Sequence, residues 1–118
     1  MQVIYFTEQL GYIKGSLGFQ IGFGLTEKYY ELLVESNQNK LDVAILIRKI
    51  LHEMLDYEEW IETLKIKRRP EGILTKRRTI NLDKDFFERL VLLAGNFNIA
   101  RSEIIRRAIE DYFLKRFS

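Results

Sequence analysis

Residues 77–113 read RRTINLDKDFFERLVLLAGNFNIARSEIIRRAIEDYF. The stretch opens on Arg77-Arg78-Thr79-Ile80-Asn81-Leu82, where polar and apolar residues alternate and place Ile80 and Leu82 on one face of a short strand. Asp83 follows as a helix N-cap, its carboxylate suited to the free amides of a first turn. Phe86, Leu90, Leu93 and Phe97 then recur every three or four residues, which predicts a helix with one apolar stripe. Gly95-Asn96 is expected to end it, because these residues accept the left-handed backbone that closes helices. A second helix is expected from near Arg101-Ser102-Glu103. Its apolar positions Ile104, Ile105, Ala108, Ile109, Tyr112 and Phe113 would point inward, with Arg106, Arg107, Glu110 and Asp111 outward.

The first half carries the same order of signals. Phe19, Ile21, Phe23 and Leu25 alternate with Gln20, Gly22 and Gly24, a strand with one apolar and one nearly bare face. Thr26 is placed to cap a helix in which Tyr29, Leu32, Leu33 and Ser36 share a face. Asn37-Gln38-Asn39 reads as a turn and Asp42 as a second cap. Leu46, Ile47, Ile50, Leu51, Met54 and Leu55 predict a further helix running to about Trp60 or Leu64. When the halves are laid over one another, Leu25 falls on Leu82 and Thr26 on Asp83. Tyr29-Tyr30-Glu31 falls on Phe86-Phe87-Glu88, and Leu46-Ile47-Arg48-Lys49 on Ile104-Ile105-Arg106-Arg107. Such an internal repeat predicts two structural units that bury each other's apolar faces. The expected divisions are an N-terminal extension over residues 1–17 (an extra strand or hairpin), a degenerate first unit over 18–62, a basic linker over 63–76 marked by Pro70 and Gly72, and a second unit over 77–118.

At 118 residues, with 47% apolar and 31% charged side chains, the chain is the size of one compact domain of ordinary globular composition. It has no cysteine and one histidine, His52, so disulfides, thiolate chemistry and multi-histidine metal sites have no material to draw on. These subtractions point away from an enzyme and towards a binding protein, with no cofactor expected. No apolar run approaches the ~20 residues of a membrane span. The opening residues lack the positive charge of a secretory leader, so a cytoplasmic protein is expected. The net charge of +2 hides an asymmetry. Residues 1–64 hold five Lys or Arg against ten Asp or Glu, and residues 65–118 hold fourteen against seven. The densest basic segment, residues 65–78, has seven cations and only Glu71 against them. It reads either as a solvated linker or as a surface for a polyanion.

The second half resembles the ribbon-helix-helix DNA-binding family (MetJ/Arc/CopG-like) over about residues 76–116. The likeness rests on the short basic strand, the capped helix, the Gly-Asn turn and the RSEIIRRAI run that opens the second helix. Residues 18–60 look like a weaker copy. Two copies in one chain are similar to the tandem regulators of this fold in crenarchaeal filamentous viruses, which implies an archaeal viral origin acting in the host cytoplasm. The resemblance implies a mainly α fold with a short antiparallel β-ribbon, two strands paired over four helices. A single copy is too small to bury an adequate core alone. The tandem chain would therefore form the pair internally, as an intrachain pseudo-dimer, or exchange strands with a second chain as a dimer. The fifteen or so linker residues are long enough for the internal route.

The implied function is sequence-specific binding of double-stranded DNA by a transcription regulator, commonly a repressor, with the ribbon in the major groove and self-association on DNA. With Ile80 and Leu82 inward, Arg77, Thr79 and Asn81 face outward as base readers. Arg suits guanine, Asn adenine, and Thr a polar edge or a thymine methyl. The competing reading is a plain polar strand edge. In the first strand only Gln20 could read a base; Gly22 and Gly24 allow close backbone approach or mark weak readout. An intramolecular ribbon would thus have unequal strands and read an asymmetric sequence. Arg78 falls on the inward side near the strand end, where it can turn to a phosphate. The resemblance further implies phosphate contacts at the second-helix N-termini, from Arg101, Ser102 and Glu103 in the second copy and Val43 and Ala44 in the first. Ala100 stands where the family usually has a capping Ser. Lys40, Lys76, Arg68 and Arg69 are further candidates for backbone contact, the alternative for Arg68 and Arg69 being a solvated linker.

Two other functions are compatible with the same fold. An antitoxin would need a toxin-blocking tail beyond the second helix, where Lys115 to Ser118 leave little room. A protein-interaction module without DNA binding would suit the acidic first half and its glycine strand. His52, with Glu53 and Asp56 nearby, has too few partners for a metal site and reads as a surface or packed histidine. Glu58, Glu59 and Glu62 beside Trp60 read as a solvated helix end. No small-molecule ligand is evident.

Overall fold

The computed structural model describes residues 18–36 and 43–114. The expected extension over 1–17, the turn at 37–39, Lys40, the Asp42 cap and residues 115–118 lie outside them. Among the described residues the chain is mainly helical around one two-stranded antiparallel sheet. Strand β1 (Phe19–Leu25) is followed by helices α1 (Glu27–Glu35) and α2 (Val43–Met54). A short helix α3 (Glu58–Glu62) and a 3-10 turn (Thr63–Lys65) lead to strand β2 (Lys76–Leu82), helix α4 (Lys84–Phe97) and helix α5 (Arg101–Leu114).

Neither strand can satisfy its backbone alone, and each pairs with the other within the chain. The register runs from Phe19 opposite Leu82 to Leu25 opposite Lys76, with Gly22 opposite Thr79 at its centre. Period-two alternation then sorts the side chains. Ile21, Phe23, Leu25, Ile80 and Leu82 are buried beneath the ribbon. Helix α5 packs against β1, α2, α4 and α1, and α2 packs against β2, so the apolar stripes of α5 and α2 cover the ribbon's inner face. Equivalent residues of the first helix in each half match in burial. Tyr29 and Phe86 are buried, as are Leu33 and Leu90, while Val34 and Val91 are exposed. Lys76 lies over the Tyr30 ring at 5.4 Å, and its repeat counterpart Phe19 stacks on Phe87, the counterpart of Tyr30, at 4.9 Å.

The caps explain the helix starts. Asp83 accepts a hydrogen bond from the Phe86 amide at 2.8 Å, as expected of an N-cap. Thr26 occupies the same place before α1, but its hydroxyl makes no cap bond. Two ends differ from the expectation. Helix α4 passes through Gly95-Asn96 and stops at Phe97, which packs against the core, and the left-handed residue is Asn98 (φ 54°, ψ 52°). Asn tolerates that conformation because its short side chain bonds locally. Helix α2 stops at Met54 rather than near Trp60. Asp56 and Tyr57 amides bond back only three residues, Arg89 donates to the Leu55 carbonyl, and Tyr57 is extended. This break turns Trp60 inward, where it is fully buried, while Glu58, Glu59 and Glu62 stay exposed.

The largest departure concerns α5. Arg106, Arg107, Glu110 and Asp111, expected outward, are each no more than 2% exposed. The segment between the halves covers them. Trp60 Nε1 donates to Asp111 Oδ2 at 2.7 Å, and Arg107 Nη2 donates to the Thr63 carbonyl at 2.8 Å. Arg68 binds Glu110 at 3.0 Å and Asp111 at 3.0 Å, and its carbonyl accepts from Arg106. Arg106 in turn binds Glu110 at 2.8 Å. Further along, Tyr29 Oη donates to Glu71 at 3.3 Å and Lys28 lies 3.6 Å from it. The linker is a strap fastened at two points.

Removing one partner of a buried ion pair leaves an uncompensated charge, at a cost of roughly 3–5 kcal/mol. Arg68 is 26% exposed, so Arg68→Met is expected to lose about 3 kcal/mol, the lower end of that range, in urea unfolding. A loss below about 1 kcal/mol would mean that the strap does not hold α5.

Candidate nucleic-acid interface

The ribbon's outer face presents three cross-strand pairs, Gln20 with Asn81, Gly22 with Thr79 and Gly24 with Arg77. Gln20, Arg77, Thr79 and Asn81 are exposed, on the face the alternation assigned to them. At one end two amides stand side by side. Arg48, from α2, donates to the Asn81 carbonyl at 3.1 Å, which ties the backbone of β2 to the helix below while the Asn81 side chain stays exposed. At the other end Gly24 is buried. A Cβ there would lie 3.2 Å from Leu74 Cβ and 3.3 Å from Arg77 Nη1. The Arg77 side chain thus crosses β1 above Gly24, with Leu74 beside it. Gly24 makes room for that crossing, and its backbone is covered rather than offered to a ligand. Gly22 differs, since a Cβ there would meet nothing closer than 3.9 Å. Together with Arg77, Arg78 and Thr79 it lines an open hollow in the middle of the ribbon.

Arg78 lies on the inward side, opposite Phe23, and is half-buried, with Nε buried and making no hydrogen bond. Lys76 is half-buried, its Nζ over the Tyr30 ring. At the start of α5, directly after Ala100, the Arg101 guanidinium lies over the Phe87 ring at 5.4 Å and Ser102 is half-buried. The first amides of a helix have no intrahelical partner, so this end carries partial positive charge. Beside it runs a cleft of about 460 Å³ whose lining includes Lys67, Arg69, Asn98, Ala100, Glu103 and Arg107. Arg69 and Lys67 are exposed there. Arg68 is not a free cation for a phosphate, because both its terminal nitrogens bind the carboxylates of α5. Helix α2 begins at Val43, with Val43 and Ala44 half-buried; Lys40 lies outside the described residues.

Sequence reasoning missed Lys67 as a neighbour of the α5 N-terminus, Arg48 as the anchor of β2, and Leu74 as the cover of Gly24. Arg48 was visible only as the repeat counterpart of Arg106. Lys67 and Leu74 had no signal, because their places depend on the path of the strap. Among the described residues no cluster of His, Asp or Glu is arranged to hold a metal ion, and no helix is long and apolar enough to cross a membrane. No protein-family model, curated protein or solved structure matches the chain.

Beneath the amide end, His52 packs half-buried on the Phe86 ring, 4.3 Å between centroids. Burial is the dominant influence on it and lowers its pKa from 6.5, outweighing the raising effect of Asp83 and Asp56; Arg89 and Arg48 add to the lowering. The folded state thus favours the neutral ring, while the unfolded chain takes up a proton near pH 6.5. Stability from this group is present above pH 6.5 and lost as pH falls below it. His52→Gln is expected to flatten the decline of the melting temperature between about pH 7 and pH 5, measured beside the wild type. An equal decline in both proteins would show that His52 titrates alike folded and unfolded.

Proposed function

We propose that the chain is a sequence-specific, double-stranded DNA-binding transcription regulator, a tandem ribbon-helix-helix pseudo-dimer that places its β-ribbon in the major groove. The observation that carries this reading is the intrachain ribbon, with Gln20, Arg77, Thr79 and Asn81 on one face, and apolar side chains with Arg78 and the terminal Lys76 on the other. A two-stranded ribbon fits the width of the major groove, where amide and guanidinium groups distinguish bases. The matched burial of repeated residues, and a register centred on Gly22 and Thr79, support two copies related by an approximate two-fold axis through that pair. Arg69 and Lys67, near the N-terminus of α5, are suited to flanking phosphates.

The charge balance agrees. Arg68, Arg106 and Arg107 face Glu103, Glu110 and Asp111 within the protein, so these six side chains cancel. The basic surplus of the second half therefore rests on other side chains, Arg77, Arg69 and Lys67 among them.

Selection from random duplexes, followed by titration at several salt concentrations, tests the reading. The wild type is expected to enrich a defined element and to bind less tightly as salt rises. Asn81→Ala is expected to lose about 1–3 kcal/mol of discrimination with an unchanged salt slope. Arg69→Ala is expected to weaken all duplexes alike and to reduce the slope by about one. Absence of any enriched element would overturn the reading.

A further inference from the structure

An approximate two-fold ribbon would normally offer both halves of a site the same chemistry. Here the counterparts under that axis are Gln20 with Arg77, Gly22 with Thr79, and Gly24 with Asn81, and none of the three is alike. The register then concentrates the difference at the ends. Gln20 and Asn81 stand opposite one another, giving one end two amides and no charge. At the other end Arg77 lies across the side-chain-free Gly24, so one guanidinium serves both strands. The centre holds a hydroxyl and an open hollow.

We infer that one chain reads a polar, non-palindromic DNA element in a single orientation, with guanine beneath the Arg77 end and adenine beneath the Gln20–Asn81 end. This rests on the DNA-binding reading above and adds the direction and base class of its target. The chemistry sets the two ends apart. A guanidinium only donates hydrogen bonds and matches the two acceptors of guanine, O6 and N7. A carboxamide both donates and accepts, which matches N7 and the N6 amino group of adenine. Arg77 and Asn81 are four residues apart on β2, about 13–14 Å along an extended strand. At ~3.4 Å per base pair this spans about four base pairs, so the two bases belong to one short element. Turning the chain end for end would put the guanidinium against adenine N6, a donor facing a donor, and the amides against guanine.

The chain has no cysteine, so one introduced thiol gives a single attachment point. A Cβ at Gly18, next to the amide end, would meet nothing within 4 Å. Gly18→Cys carrying an iron chelate is bound to a duplex holding one selected element, and strand scission is mapped on both sides. Scission favouring the adenine side by about tenfold or more is expected, the factor one misplaced bidentate contact is worth. In parallel selections Arg77→Ala is expected to relax only the guanine end, and Gln20→Ala or Asn81→Ala only the adenine end. Equal scission on both sides, or an element symmetric about its centre that Arg77→Ala relaxes at both ends, would overturn the inference and leave the DNA-binding reading standing. Failure to enrich any element would overturn both.

Discussion

Antiparallel pairing of Phe19–Leu25 with Lys76–Leu82 is the constraint on which the rest depends. A lone strand leaves a row of amides and carbonyls without partners, and no other strand is present among the described residues to satisfy them. Once the two are paired, their apolar residues share one face, and α2 and α5 are the stripes that can cover it. The pairing also joins segments far apart in sequence, which makes the intervening chain part of the fold.

That intervening chain explains where sequence reading succeeded and where it did not. The strands, the outward placement of Arg77, Thr79 and Asn81, the Asp83 cap and the apolar stripes of α4 and α5 were legible, because each follows from local alternation or helical spacing. The break after Met54 was not, since nothing in the periodicity from Leu46 to Trp60 marks it; Arg89, from another helix, helps to end α2. The charges of α5 were misjudged for a related reason. Helical spacing says which residues share a face but not what covers it, and the cover here is the strap around Trp60, Thr63 and Arg68. A run as polar as Arg106-Arg107 reads as solvated until its partners are known. The same holds for the candidate site. Arg68 looked like its neighbour Arg69, yet one is bound by two carboxylates and the other is exposed.

The strap has an energetic logic. Burying Arg106, Arg107, Glu110 and Asp111 costs desolvation, which is offset only when each charge finds opposite charge and hydrogen bonds in good geometry. A free linker would take from that network the partners supplied by Trp60, Thr63 and Arg68. Glycine has two uses in the ribbon, space for a crossing arginine at Gly24 and an open hollow at Gly22, and only the contacts around them tell the two apart.

Covalent joining of the two strands also changes how the protein behaves on dilution. A ribbon assembled from two separate chains exists only above the concentration at which they associate, and its supply varies with the square of chain concentration when chains are scarce. Here both strands lie on one chain and pair within it, joined by a docked linker, so this pairing needs no second chain. The amount of paired ribbon then tracks synthesis in direct proportion from the first copies made, with no encounter between chains needed to form it.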